Sequence, residues 1–143
     1  MPQLHLDVLT AERTVLSIDV DALVAMTEEG EIGVLPGHAP LVTLLRAGEL
    51  MVRIGAEQHY LAVSGGFLEA TTQGVVILAD ACERADEIDV QRAEEARRAA
   101  EGRLEAGARE TDLAVAEAAL RRSLVRLEVA DRHRRRARRR AIE

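Results

Sequence analysis

The spacing of apolar residues changes once along this chain, near Asp80, and that change constrains the fold more than any other feature. From Leu4 to about Asp80 apolar residues recur at every second position, which is the spacing of half-buried strands. After Asp80 glycine becomes scarce, and alanine, glutamate, arginine and leucine, which favour helices, continue to Arg140. The chain is therefore predicted to have a β part followed by an α part.

Turn signals divide the β part into short segments. They stand at Glu29-Gly30, Pro36-Gly37, Ala47-Gly48, Gly55-Ala56, Gly65-Gly66 and Gln73-Gly74. Many short strands with such punctuation predict an antiparallel β-sandwich or flattened barrel. Ser64-Gly65-Gly66 is interpreted as a tight turn. With Tyr60 and Phe67 as the only aromatic residues, the core must consist of Leu, Val, Ile and Ala.

Helix-end signals divide the α part in two. Asp89 is a good N-cap, and Gly107 offers a stop before a second start near Thr111. We predict helices from about Asp89 to Ala106 and from about Thr111 to Arg136, and the short break between them favours an antiparallel hairpin.

Charge changes where the period changes. Residues 1–80 hold three arginines against 11 acids, and residues 81–143 hold 16 arginines against 14 acids. A chain of 143 residues can bury one core and a smaller satellite unit. We expect a β domain of residues 1–87 and a helical hairpin of residues 88–143.

The second helix is apolar on two sides, which lie nearly opposite each other. A hairpin with one arrangement would use both sides at once, whereas a hairpin that changes conformation would use them in turn. The sequence leaves both alternatives open. The two sets are Leu113, Ala116, Leu120, Leu124 and Leu127, and Val115, Ala118, Ala119, Val125 and Val129.

Catalytic and metal-binding patterns are missing from the sequence. There is no Gly-rich phosphate loop, no histidine pair at metal spacing and no nucleophile elbow around Ser64. The single cysteine, Cys82, excludes an intramolecular disulfide, and no run of apolar residues is long enough to span a membrane. We predict a cytoplasmic chain that is not an enzyme, with no catalytic residues and no metal site.

Arg92 does not fit the helix start in which it lies. Asp89 as N-cap, with Ile88 packed on Ala93, accounts for its neighbours. The third helical position, however, favours Glu or Gln, and the positive end of a helix disfavours a cation. Arg92 therefore needs another explanation.

Folding the hairpin about residue 108 places Arg92 level with residue 124, between Arg122 and Arg126. Three neighbouring arginines repel one another unless acids or a bound anion intervene, and helix starts are good phosphate sites. The sequence allows an ion-pair network or a phosphate compound. The acids available for a network are Glu83, Asp89 and Glu128.

The basic run from Arg132 to Arg140 has two interpretations, an acidic protein partner or a solvated helix end. Nucleic-acid binding is not expected, because the run has no interleaved aromatic residues and the rest of the chain is acidic.

Two blocks of sequence carry a resemblance to a known family. The first is Glu-Glu-Gly-Glu-Ile-Gly-Val-Leu-Pro-Gly-His-Ala-Pro-Leu-Val-Thr at residues 28–43, and the second is Ser-Gly-Gly-Phe-Leu-Glu at residues 64–69, continuing to Ile-Leu-Ala-Asp at 77–80. With these blocks ahead of a helical hairpin, the chain resembles the epsilon subunit of bacterial F-type ATP synthases from about Leu4 to about Leu127. The fold that this implies, a β-sandwich with a C-terminal helix-turn-helix, agrees with the periodicity.

The resemblance implies a rotor subunit of the central stalk, at the cytoplasmic face of the cell membrane, that couples rotation to ATP synthesis. Its partners would be the gamma subunit, the c-ring and, when the hairpin extends, the alpha/beta catalytic head, whose ATP hydrolysis it inhibits. The membrane would be met only through the complex. The resemblance implies that Glu28 and Glu31 face the c-ring and that His38 and Thr43 face gamma.

Some family members bind ATP through an Ile-Asp-x-x-Arg-Ala motif, which here is Ile88, Asp89, Arg92 and Ala93 with two residues between. The resemblance extends this nucleotide site to Glu83, Arg122 and Arg126, although a further arginine of the pattern is Ala99 here. ATP would be a regulatory ligand that is not hydrolysed, and the sequence does not indicate whether magnesium accompanies it. The alternative is a rotor subunit or adaptor with these arginines in ion pairs and no nucleotide.

Overall fold

Strands and helices divide the chain into two parts. The computed structural model describes residues 2–107 and 109–142. Eight strands precede two α-helices, and the compact units divide between Arg84 and Ala85. The predicted β-sandwich followed by two helices is confirmed. The elements are β1 (Leu4–Leu9), β2 (Thr14–Val20), β3 (Ala22–Thr27), β4 (Gly30–Val34), β5 (Leu41–Ile54), β6 (Glu57–Thr71), β7 (Gly74–Ala79), β8 (Cys82–Arg84), α1 (Val90–Glu105) and α2 (Glu110–Ile142).

The strands form one hydrogen-bonded path that folds into two layers. Neighbours run β2-β1-β7-β6-β5-β3-β4, with β8 joined to β6. β7 pairs with Gly66–Thr71 of β6, whereas β8 pairs with Leu61–Val63. One layer therefore contains β2, β1, β7 and parts of β6 and β5, and the other contains β4, β3, β8 and the remaining parts. The pairing of β1 with β7 is parallel, which the antiparallel prediction did not include.

Two predicted turns lie inside strands, so the prediction of a turn at each was wrong. Ala47-Gly48 lies within β5, and Ser64-Gly65-Gly66 lies within β6. These strands have 14 and 15 residues because each takes part in both layers, and glycine marks the bend. Gly66 has a φ of +129°, and a Cβ there would collide with the carbonyl oxygen of Leu78. The other four turn signals fall at the ends of strands.

The buried cluster of the β unit is aliphatic, as predicted. Its members are Leu, Val, Ile and Ala, with Leu6, Leu23 and Leu68 fully buried. Phe67 is 53% exposed, and Tyr60 is half-buried. Burying a Leu or Val side chain stabilises a fold by about 1.5–3 kcal/mol, so this cluster supplies most of the driving force for the sandwich.

Local chemistry defines both ends of α1. The Asp89 Oδ1 atom accepts a hydrogen bond from the backbone N–H of Arg92 at 3.1 Å, which confirms the predicted N-cap. At the other end Gly107 has a φ of +68° and donates its N–H to the carbonyl of Leu104 at 3.4 Å. The predicted glycine stop is therefore confirmed, and α1 ends within one residue of its predicted limit.

α2 ends at Ile142, beyond the predicted end at Arg136. The sequence from residue 109 onward contains neither glycine nor proline, and arginine favours helix, so no local signal stops the helix within the basic run. Among the described residues, neither helix has an apolar stretch sufficient to cross a membrane.

Small side chains bring α1 and α2 together. α2 contacts α1 and the 3-10 turn at Ala85–Glu87. Ala93 and Ala100 of α1 are buried seven residues apart, as are Ala116 and Ser123 of α2. The Ser123 Oγ atom donates to the carbonyl of Leu120 at 2.8 Å, so this buried hydroxyl is satisfied.

The two apolar sides of α2 are buried unequally. Ala116 of the first set is buried, but Leu124 is 46% exposed. In the second set Val125 and Val129 are buried, whereas Val115 is 61% exposed. Both sides therefore contribute buried residues in one arrangement, and each also leaves a large apolar side chain exposed.

Candidate functional site

Four residues of the predicted nucleotide motif lie at the start of α1. Asp89 caps the helix, and Ala93 is fully buried and donates its N–H to the Asp89 carbonyl at 3.0 Å. Ile88 is half-buried, and the Arg92 side chain is exposed. Because the backbone N–H groups of Arg92 and Ala93 are already bonded, an anion here would have to bind the arginine side chain or the preceding N–H groups.

Two of the three predicted arginines have no acidic partner among the described residues. Arg92 and Arg122 are exposed, and in the part of the chain that the structure describes neither side chain forms an ion pair. Asp89 is occupied as the cap, and Glu128 pairs with Arg132 at 2.6 Å. The ion-pair network is therefore not observed for Arg92 and Arg122.

The acids on α1 compensate a different arginine. Arg97 bonds to Glu94 at 2.8 Å and to Glu101 at 3.1 Å. The hydrogen bond that Arg97 donates to Glu94 is the main reason that the pKa of Arg97 is raised. Because Glu94 and Glu101 bond to Arg97, neither carboxylate compensates the charge of Arg92 at the positive end of the helix.

The remaining nucleotide-site residues lie on other elements. Arg122 and Arg126 lie one turn apart on α2. Arg126 is half-buried and interacts within the chain. Glu83 belongs to β8 of the β unit, where it pairs with Ala62 and is half-buried. The helical unit thus contains all the residues of the predicted nucleotide site except Glu83.

The predicted c-ring residues lie at an ordered turn. Glu28 is in the turn between β3 and β4, Glu31 is on β4, and both are exposed. The buried Thr27 holds this turn, because its Oγ1 donates to the Gly30 carbonyl at 2.6 Å and accepts from the Glu29 N–H at 3.2 Å. The hydrogen bonds of Thr27 therefore fix the backbone of the turn that carries Glu28.

The predicted gamma-facing residues lie on different elements. His38 is in the loop after β4, with Nδ1 2.6 Å from the Ala39 carbonyl oxygen. Thr43 is half-buried in β5 and points to the opposite side of that strand from its exposed neighbours Val42 and Leu44. Thr43 therefore does not share the outward face of β5.

That outward face carries a feature which sequence reasoning missed. Leu44 pairs with Phe67, Phe67 with Leu78, and Leu78 with Leu9, so these four side chains form a row across four strands, here called the apolar row. Leu44, Phe67 and Leu78 are 50%, 53% and 53% exposed, and Val42 beside them is 68% exposed. The signal was the run of consecutive apolar residues at 75–79 in β7, because alternate residues of a strand must face outward.

Polar residues cluster on the same face, two to four residues back along β1. His5 lies 2.8 Å from Asp19 through Nδ1 and 3.3 Å from Asp7 through Nε2, and Ser17 donates to Asp7 at 2.6 Å. The hydrogen bond to Asp19 is the main cause that raises the pKa of His5. A groove of about 290 Å³ adjoins His5, Asp7 and Glu69. His5, Asp7, Asp19 and Glu69 are called the acidic corner.

Comparison with known proteins assigns the class. Residues 3–85 match the family described as ATP synthase, Delta/Epsilon chain, beta-sandwich domain, and residues 86–131 match the ATP synthase, Delta/Epsilon chain, long alpha-helix domain. The sandwich, the hairpin and their order are those of a delta/epsilon-type stalk subunit.

Individual relatives narrow this class. The chain is 52% identical over 135 residues to the ATP synthase epsilon chain of Dehalococcoides mccartyi, covering 94% of this chain and 96% of the relative. It is 50% identical over 130 residues to that of Chloroflexus aggregans, covering 91% and 94%. A chain in the Euglena gracilis mitochondrial ATP synthase structure of OSCP, F1 and c-ring is similar, with a TM-score of 0.70, 30% identity and coverage of 83% and 76%. This chain belongs to the ATP synthase epsilon-chain family.

Proposed function

We propose that this chain is a non-catalytic rotor subunit of the central stalk of an F-type ATP synthase, where it couples rotation to ATP synthesis. The similarity to epsilon chains over more than nine-tenths of the sequence carries this proposal. The similar Euglena chain comes from an assembly of F1 with a c-ring, which supports gamma, the c-ring and the alpha/beta head as partners. Association with the cytoplasmic face of the cell membrane would then occur through the complex.

Reconstitution tests this role. The chain is expected to bind the alpha, beta and gamma core of its own synthase and to restore coupling of ATP hydrolysis to proton pumping in a depleted complex. The isolated chain is expected to show no ATP turnover. Failure to bind the core would reject the rotor role, and turnover by the isolated chain would reject the non-catalytic role.

The helical unit has the features of a regulatory ATP site. Arg92 and Arg122 are exposed cations without an acidic partner among the described residues, and Arg92 lies at the positive end of α1. A phosphate chain held by Arg92, Arg122 and Arg126 would relieve this repulsion, since guanidinium groups bind phosphate oxygens in pairs. Ile88, Asp89 and Ala93 would shape the helix start.

Calorimetric titration of ATP into the full chain, with and without magnesium, tests this site. Arg92→Ala and Arg126→Ala are each expected to weaken binding roughly tenfold or more, because each removes a charge-assisted hydrogen bond to phosphate. Arg103→Ala is the matched control, since Arg103 is exposed in the last turn of α1. No binding by the parent chain, or equal losses in all three variants, would instead support the adaptor without nucleotide.

Regulation would follow from the hairpin. The buried residues that the structure describes in the two helices are Ala93, Ala100, Ala116, Ser123, Val125, Val129 and Ala130, so separating the helices would expose less apolar surface than opening the sandwich. ATP would favour the compact form only by its higher affinity for that form. Adding the chain to the alpha, beta and gamma core should therefore inhibit ATP hydrolysis strongly at low ATP and weakly at high ATP, and Arg92→Ala should remain inhibitory at high ATP. Inhibition that does not depend on ATP in the parent chain would contradict this.

A further inference from the structure

The C-terminal end of α2 extends beyond the helix against which α2 packs. α2 has 33 residues and α1 has 16, which correspond to about 50 Å and about 24 Å at 1.5 Å per residue. Because the two helices are joined between Glu105 and Glu110, the surplus length of α2 lies at its C-terminal end. Residues 132–142, here called the basic tail, belong to this surplus and hold seven arginines and no acidic residue.

Four exposed arginines lie on one face of the basic tail. Arg134 and Arg138 are one turn apart, as are Arg135 and Arg139, and the two pairs are adjacent on a helix of 3.6 residues per turn. The opposite side of α2 is the side on which Val129 is buried. These four arginines, here called the arginine face, therefore point away from the packed side of the helix.

The charge of the arginine face is only partly neutralised within the chain. Arg135 pairs with Asp131 at 3.1 Å. Arg134, Arg138 and Arg139 form no ion pair with any residue that the structure describes. At least three guanidinium groups of this face are therefore available to an anionic partner.

Helix stability does not account for this arrangement. The negative end of the helix dipole favours cations in the last turn, which contains Arg139 and Arg140, but the effect fades before Arg134. Like charges one turn apart, such as Arg134 and Arg138, destabilise a helix. The matched family domain ends at residue 131, so the family fold does not account for these arginines either.

The composition of the tail favours a lipid surface over a protein surface as the partner. From Arg134 to Arg140 the only residue other than arginine is Ala137. Protein interfaces are organised around buried aromatic or apolar anchors, and this segment supplies none. A bilayer of anionic phospholipids needs no such anchor, because its surface potential attracts clusters of four to eight basic residues.

We propose that the arginine face docks directly on an anionic phospholipid bilayer, where its guanidinium groups bond to lipid phosphates. This contact goes beyond association through the complex, and it rests on the proposed rotor function only for the nearness of the membrane. The tail would lie on the headgroups without inserting, since residues 134–140 have no apolar side. The net charge of −6 on the whole chain means that only this end would be attracted.

Flotation of the full chain with lipid vesicles tests this docking. Vesicles rich in phosphatidylglycerol are compared with vesicles of phosphatidylcholine alone at several salt concentrations. The test variant combines Arg134→Gln with Arg138→Gln. The matched control combines Arg98→Gln with Arg103→Gln, which removes the same charge from exposed positions of α1. Circular dichroism verifies that each variant keeps its helix content.

The parent chain is expected to bind the phosphatidylglycerol vesicles and not the phosphatidylcholine vesicles. The tail variant should bind roughly tenfold or more weakly at low salt, because two arginines near a charged surface are lost. The difference should shrink at high salt, which screens the attraction. The control variant should bind like the parent. Arg134→Lys combined with Arg138→Lys should also retain binding, because it keeps both charges.

Several outcomes would overturn the docking. They are failure of the parent to bind phosphatidylglycerol vesicles, equal binding to phosphatidylcholine vesicles, and equal losses in the tail and control variants. A lysine variant as weak as the glutamine variant would indicate a shape-specific anion site instead of a membrane surface. If the tail variant keeps vesicle binding but binds the alpha, beta and gamma core more weakly, the partner is an acidic protein surface. Vesicle binding requires no other subunit, so its failure is distinguishable from failure of the rotor role.

Discussion

The two units of this chain differ in how much apolar surface each buries in its own interior. Among the largest fully buried side chains of the described residues, only Val129 belongs to the helical unit, and the others lie in the sandwich. The sandwich includes pairings between strands that are distant in sequence, such as β1 with β7, whereas the hairpin joins consecutive helices whose buried residues are alanines, Ser123, Val125 and Val129. The difference indicates that the sandwich is a platform more resistant to local unfolding than the hairpin.

A core truncation in each unit measures this contrast. Leu68→Ala in the sandwich is expected to reduce the free energy of unfolding by about 2–5 kcal/mol, because Leu68 is fully buried. Ala100→Gly in α1 should cost only about 1 kcal/mol, chiefly through helix propensity. Urea unfolding followed by circular dichroism checks both, and equal losses would contradict the difference between the units.

The bend of β6 should tolerate substitution poorly. Gly66→Ala is expected to cost more than the roughly 1–3 kcal/mol of an unfavourable backbone conformation, because the new Cβ would also collide with the Leu78 carbonyl. Gly30 is the control, since its φ is +121° but no atom lies within 4 Å of an added Cβ. If Gly30→Ala and Gly66→Ala lower the melting temperature equally, the bend does not require this close approach.

In the helical unit the largest local effect should come from the cap. Asp89→Ala is expected to destabilise α1 by about 0.5–2 kcal/mol through loss of the bond to the Arg92 N–H. Asp89→Ser keeps a capping oxygen but removes the charge, so it should restore helix stability. Hydrogen exchange of the first turn of α1 measures the cap, and ATP titration of both variants shows whether the carboxylate has a second role.

Most of this fold could be predicted from the sequence because helix caps and strand periodicity depend on residues that are close together in the chain. Asp89 and Gly107 define α1 through bonds to residues three or four positions away, and the strand period placed the aliphatic core correctly. The predictions of turns at Ala47-Gly48 and Gly65-Gly66 were wrong because glycine permits both a bend within a strand and a turn between strands. Which of the two occurs depends on partner strands elsewhere in the sequence.

The candidate sites also differ in whether the sequence could predict them. The motif at Ile88–Ala93 is contiguous, so its position at a helix start could be predicted from sequence. The apolar row could not, because its members come from β5, β6, β7 and β1, and their alignment depends on the register of three strand pairs. Thr43 illustrates the same limit, since only the pleat decides which side of β5 it occupies.

The smallest predicted effect concerns His5, which tests the acidic corner of the platform without a partner. Because Asp19, and to a lesser extent Asp7, raises the pKa of His5 above 6.5 in the folded chain, folding favours the protonated ring. This stabilisation is present below pH 6.5 and is lost as pH rises through the raised pKa. His5→Gln should therefore reduce the fall in melting temperature between about pH 6 and about pH 8.

Nuclear magnetic resonance titration gives the sharper form of this test. The pKa of His5 is expected to lie above 6.5 and to fall more in Asp19→Asn than in Asp7→Asn, because the 2.8 Å bond to Asp19 is the larger cause. Glu69 adjoins the groove without a direct bond to the ring, so Glu69→Gln should change this pKa least. If Asp7→Asn has the larger effect, the ring bonds to β1 rather than across to β2, and the edge strand gains nothing from protonation of His5.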